Sequence, residues 1–224
     1  MPLQNRVTPT GEIVADPARG LLMGNRGCLH REDRSLGVSR WRSTLWICCT
    51  LVWRDVRRDP MPPGRWTALF FLDEATAFAA GHRPCAYCRR GDYLDYAHAW
   101  WRAGGGPRRP WAAEMDARLH GERVRRTRAQ VTHVARFADV PNGAMVRLHG
   151  APGLVADGTV RGWSLHGYAK PEALSPDADV EVLTPPATLD AFRAGYRPWV
   201  HPSAVDAGTP DPAALRVIRS VGLP

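Results

Sequence analysis

Alternation of apolar and polar side chains is clearest at residues 42–54, RSTLWICCTLVWR, where aromatic and β-branched residues predict a strand. Leu45, Ile47, Cys49, Leu51 and Trp53 fall on one face of it, and Trp46, Cys48, Thr50 and Val52 on the other. Residues 60–64 form a loop, and residues 66–72 return as a second strand, expected antiparallel to the first. The period then turns helical. Asp73 suits a helix N-cap, Glu74 stands in the first turn where the helix dipole favours an acid, and Gly81 ends the helix after Ala80. A second helix is predicted over residues 92–103, closed by Gly104-Gly105-Gly106, with Leu94, Ala97, His98 and Trp101 on one face. A third starts at Pro110 and reaches about Glu122. The Gly- and Pro-rich residues 2–30 offer one short strand-like stretch, residues 12–15. A tight turn is expected at Met23-Gly-Asn-Arg-Gly27, of a kind that can present backbone N–H groups to an anion.

Past Val140 the pattern changes. Pro141-Asn142-Gly143 is a turn signal, and residues 144–148, 153–156, 159–163 and 180–183 read as short strands between glycine turns. Residues 189–194 read as a short helix and residues 212–220 as another, within a Pro-rich tail. The expected class is α+β. Residues 1–140 form a mixed region of antiparallel strands and helices around a CxxC turn, and residues 141–224 a small β-rich subdomain.

Length and apolar content suffice for a substantial core in 224 residues, and no apolar run is long enough to span a membrane. The N-terminus lacks a basic segment followed by an apolar one, so the cytoplasm is the expected location. Five cysteines in such a chain point to reduced thiols or a metal site rather than a disulfide framework. The net charge of +8 favours a polyanionic partner, DNA or RNA. Lys170 is the only lysine, however, and a GC-rich coding sequence would also favour arginine.

The most specific chemistry lies in Pro84-Cys85-Ala86-Tyr87-Cys88, two thiols on a tight turn that can occupy adjacent positions around zinc. The preceding strand with two phenylalanines, the alanine-rich helix and AAGHRPCAYCRR together resemble the metal-binding module of the bacterial methylation-response protein Ada. The chain over most of its length also resembles a bacterial protein family that carries such a segment and has no assigned activity. In the Ada module two further cysteines, separated by three residues, complete a four-thiolate zinc site, and one accepts a methyl group from DNA phosphotriesters. Only Cys85 and Cys88 match by position. Here Cys48 and Cys49 are adjacent, so on a strand one of them at most faces the turn. Cys48 is the expected third ligand, because Cys49 shares its face with Ile47, Leu51 and Trp53 and suits the core. Cys28, His30 and His82 are the candidates for the fourth.

The third helix supplies the other chemistry. Asp116 and His120 are four residues apart on one helical face and are candidates for a metal-binding or acid–base pair, though such i,i+4 contacts are ordinary on solvated helices. Arg123, Arg125, Arg126 and Arg128 follow at once, and Arg83, Arg89 and Arg90 flank the CxxC; arginine forks suit phosphates. Trp100, Trp101 and Trp111 add an aromatic platform for single strands, although tryptophans in helices that pack on a sheet are more often core. The leading expectation is a zinc-stabilised nucleic-acid-binding protein, in DNA repair or regulation. The alternatives are a metal-dependent enzyme acting on a nucleotide or nucleic acid through Asp116 and His120, and a cysteine methyl acceptor.

Overall fold

The computed structural model describes residues 1–54, 59–205 and 215–218. The class is α+β, with two six-stranded sheets and four helices among those residues. The first sheet is built from β1 (Gln4–Val7), β2 (Ile13–Ala15), β3 (Leu22–Asn25), β4 (Ile47–Thr50), β5 (Leu69–Phe71) and β6 (Arg83–Pro84), the last two separated by helix α1 (Glu74–Ala79). Its order is β2-β1-β5-β3-β4-β6. It is mixed rather than antiparallel throughout, because β1 pairs with β5, and β4 with β6, in parallel.

Two helices follow, α2 (Arg90–Gly104) and α3 (Ala112–Arg123). Then come β7 (His133–Arg136), β8 (Met145–Leu148), β9 (Ala151–Ala156), β10 (Thr159–Ser164), β11 (Gly167–Ala173) and β12 (Asp179–Val182). These form an antiparallel sheet in the order β11-β10-β9-β8-β12-β7, so a strand that precedes residue 140 closes one edge of it. Helix α4 (Pro186–Arg193) packs on α2, and β13 (Trp199–Val200) pairs in parallel with β14 (Arg216–Val217). The helix expected at residues 212–220 lies partly outside the described residues; within them, Arg216–Val217 is extended. No helix among the described residues is long and apolar enough to cross a membrane.

The strand pairing differs from expectation at one point. β4 and β5 are not neighbours: β3 runs between them, antiparallel to both, which leaves β4 and β5 parallel to each other. The residues read as a tight turn, Met23 to Asn25, are therefore strand. Gly24 makes this possible, since a Cβ there would sit 2.1 Å from the Ile47 carbonyl oxygen and 3.0 Å from the Phe71 ring. The chain does turn at Gly27, whose φ is +100°.

Helix α1 is buried along its whole length, and its small side chains let three layers close on it. Ala77 and Ala80 pack with Val7, Leu22, Leu69 and Phe71 of the first sheet. Ala75 and Ala79 meet Met145, Leu154 and Tyr168 of the second. Phe78 inserts among Tyr96, Met115, Leu119 and Phe192 of the helices and Tyr196 just beyond α4. Burying that ring contributes on the order of 2–3 kcal/mol. Asp73 caps the helix by accepting from Thr76 N at 2.9 Å, and Gly81, at φ +81°, ends it.

The close approach at Gly24 has a measurable consequence. Gly24→Ala is expected to destabilise the fold by about 3 kcal/mol or more, because backbone and not a flexible side chain blocks the new methyl. Gly121→Ala on α3, where nothing lies within 4 Å, is expected to be neutral or slightly stabilising. Urea unfolding of the two variants beside the parent protein measures both effects.

Candidate metal centre

The parallel register of β4 on β6 decides which thiols meet. Ile47 aligns with Arg83 and Cys48 with Pro84, so the next residues along each strand, Cys49 and Cys85, come side by side. Cys85 N donates to the Cys48 carbonyl at 2.9 Å, and Arg89 N to the Cys85 carbonyl at 3.2 Å, which closes the turn and brings Cys88 round. The three sulfurs of Cys49, Cys85 and Cys88 lie within 4.8 Å of one another. Ligand sulfurs about 2.3 Å from a tetrahedral zinc stand about 3.8 Å apart, so a small closure fits this set to the ion. Cys85 is buried, and Cys49 and Cys88 are half-buried.

Hydrogen bonds from the Cys49 and Cys88 thiols, and then from backbone N–H groups, hold the Cys85 thiol well below its ordinary pKa. The same contacts push the Cys49 thiol up.

The third sulfur is thus Cys49 and not the expected Cys48. The reading of faces fails because its apolar residues are not the buried ones: Leu45 is 51 % exposed and Ile47 half-buried, whereas Trp46 and Cys48 are each 1 % exposed. Cys48 packs with Leu69, Phe71, Ala77 and Ala80, and its sulfur accepts from Arg89 Nη1 at 3.4 Å. Burial pushes its thiol pKa up, which suits an inert core residue.

None of the three candidate fourth ligands joins the cluster among the described residues. The His30 ring is held between the Thr67 hydroxyl at 2.7 Å and the Pro62 carbonyl at 3.1 Å. Cys28 turns its thiol to the His30 carbonyl, 3.9 Å away. His82 is fully buried against Phe71 and Trp46, and its Nε2 accepts from Arg26 Nε at 3.3 Å.

Asp116 and His120 have separate partners. Arg83 grips both oxygens of the Asp116 carboxylate, at 2.9 and 2.7 Å, with both side chains buried. His120 Nδ1 lies 3.1 Å from Arg123 Nη2, and its ring stands edge-on to Trp41 and Trp46. The flanking arginines also divide. Arg83, Arg89 and Arg123 are interior, at 3, 6 and 2 % exposure, whereas Arg90, Arg125, Arg126 and Arg128 are exposed. Trp100 belongs to the core between the helices, and Trp101 and Trp111 reach the surface.

The groups that sequence reasoning did not find are tied across long stretches of chain. Arg89 binds Glu74 at 2.7 Å and Asp92 at 2.8 Å. Glu74 also accepts from Tyr196 Oη at 3.0 Å and from Trp199 N at 2.8 Å. No periodicity or spacing marks such partners; the one signal is an acid in the first turn of an otherwise apolar helix.

Comparison of the chain with models of protein families, with curated proteins and with solved structures finds no match.

Burial of His82 beside Arg26 and Arg123 holds its pKa well below 6.5. The folded chain thus excludes a proton that the unfolded chain takes up below about pH 6.5. The stability His82 confers is fully present above that pH and is lost as pH falls, by up to about 1.4 kcal/mol per pH unit. Denaturant titrations at pH 7, 6 and 5 are expected to show this extra slope in the parent protein and not in His82→Gln, which keeps an acceptor for Arg26 and the same thiol cluster.

Proposed function

We propose that the protein is a zinc-thiolate protein that binds nucleic acid, with a role in DNA repair or regulation. The observation that carries the reading is the convergence of Cys49, Cys85 and Cys88 within 4.8 Å. Three thiols from two separate segments, close to the spacing zinc requires, suit a soft divalent ion better than a disulfide, which would use only two of them. The likeness of the turn at Cys85 and Cys88 to the Ada module supports the same assignment. Bound there, zinc ties β4 to the start of α2 and so fixes the exposed arginine that follows, Arg90. It also keeps the three thiols from oxidation.

The nucleic-acid part rests on charge and its placement. The interior holds Arg26, Arg83, Arg89, Arg123 and Arg161 against Asp73, Glu74 and Asp116, so most of the net charge of +8 lies outside the core. Arg90, Arg125, Arg126 and Arg128 are the exposed members of the two arginine groups beside the cysteine turn and α3. The enzymatic reading is less well supported, because Arg83 occupies both oxygens of Asp116 and His120 has no carboxylate partner among the described residues.

Elemental analysis of the purified protein is expected to find about one zinc per chain, lost in Cys49→Ser and Cys85→Ser and retained in Cys48→Ser. On the zinc-loaded protein, Arg125→Ala with Arg126→Ala is expected to weaken DNA binding. It should also lower the slope of log K against log salt by about one unit per phosphate contact removed. Zinc unaffected by Cys49→Ser would overturn the metal assignment. Binding indifferent to salt would overturn the nucleic-acid assignment.

A further inference from the structure

Arg26 and Arg123 make no ion pair among the described residues, although they are only 1 and 2 % exposed. Their guanidinium carbons lie 4.0 and 3.9 Å from the centre of the Trp46 ring. The acid closest in effect, Asp116, is already held at both oxygens by Arg83. Burial, together with like charge from Arg123 and Arg40, lowers the pKa of Arg26 to about 9. Burial lowers that of Arg123 to about 9 as well. Carbonyls take some of their hydrogens: Arg26 Nη1 donates to Gly11 O at 3.0 Å, Arg123 Nη1 to Gly81 O at 2.9 Å and Arg123 Nη2 to Thr44 O at 2.7 Å. Arg26 Nη2 and Arg123 Nε have no hydrogen-bond partner among the described residues. Buried donors are almost always satisfied, and buried cations are costly without an anion, so two unspent guanidinium donors on one tryptophan call for a ligand.

Both arginines line a cavity of about 120 Å³, with Arg40 and Arg128 as further cationic lining. For comparison, a cavity of roughly 150 Å³ accepts a benzene-sized molecule, so a tetrahedral oxyanion fits. We propose that this cavity binds a phosphate group, with Arg26 and Arg123 as its inner donors and Arg40 and Arg128 as its outer ones. Guanidinium forks match phosphate geometry, and low local dielectric strengthens the pairing. Gln130 also lines the cavity. Its Nε2 lies within hydrogen-bond distance of the carbonyls of Pro9, Ala79 and Leu183, and its Oε1 is buried without a donor among the described residues, suited to a protonated phosphate oxygen. The one acid on the lining, Glu12, is exposed, where water screens it. None of the clustered sulfurs lines the cavity, and the proposal does not depend on the metal.

The ligand is free phosphate, a nucleoside monophosphate, or the 5′-phosphate end of a nucleic acid. Isothermal titration of the zinc-loaded protein with inorganic phosphate and with deoxyadenosine monophosphate, against chloride at equal ionic strength, separates the site from general charge effects. One bound phosphate per chain is expected, weakened about tenfold or more in Arg26→Met and in Arg40→Met. Arg40 is half-buried, so its variant decides the matter where Arg26→Met does not fold. A 5′-phosphorylated oligonucleotide preferred over its 5′-hydroxyl counterpart would identify a nucleic-acid end as the source. Equal binding of the two would identify a free phosphate or mononucleotide. The proposal is overturned if neither inorganic phosphate nor the nucleotide binds the parent protein, or if either binds Arg40→Met as tightly.

Discussion

Glu74 opens a helix that no solvent reaches, and a carboxylate in that position is stable as an anion only if a cation is brought to it. Burial pushes its pKa up, while Arg89 and the Trp199 N–H pull against that shift. Arg89 is the residue immediately after Cys88, so the ion pair that satisfies the helix also sets the position of the cysteine turn. The same guanidinium holds Asp92 in the first turn of α2 and touches the Cys48 sulfur on β4. Asp92 in turn accepts from Trp199 Nε1 at 2.8 Å and meets Arg216 at 3.2 Å, which ties β13 and β14 to the same point. Removing either partner of such a pair leaves a buried charge, a loss of about 3–5 kcal/mol. Loss of the Arg89–Glu74 contact would therefore reach the sheet, the helices and the thiols together.

Four of the interior arginines form two contrasting pairs. Arg83 and Arg89 are each matched to carboxylates with short, well-directed bonds, and their charge is spent inside the fold. Arg26 and Arg123 are matched to an aromatic face and to carbonyls, and part of their bonding capacity is left over. Gly81 belongs to this second arrangement, since a Cβ there would meet the Arg123 side chain at 2.5 Å. The glycine that ends α1 thereby also makes room for one arm of the cationic cavity.

Much of the architecture was legible because its signals are local. Asp73 and Gly81 bracket α1, the triple glycine closes α2, and glycine turns separate β8, β9 and β10. What was not legible depends on distant neighbours. β3 reads as a turn because Gly24 and Gly27 flank Asn25, yet Gly24 is there for close approach to β4. β11 carries exposed residues along most of its length and shows no alternation. At the site, the spacing of Cys85 and Cys88 was visible, but choosing between Cys48 and Cys49 required knowing which face of β4 meets α1. Apolar content pointed one way and burial the other. Likewise the sequence grouped the arginines by position, whereas their partners, Asp116, Glu74 and Trp46, decide which of them face solvent.

Cys49, Cys85 and Cys88 are proposed to hold one metal ion together. X-ray absorption at the zinc edge of the purified, zinc-loaded protein tests this most directly, because it counts ligand atoms by type and distance. Three sulfurs at about 2.3 Å and one lighter oxygen or nitrogen neighbour are expected. Four sulfurs, or a shell of oxygen and nitrogen without sulfur, would contradict the proposal.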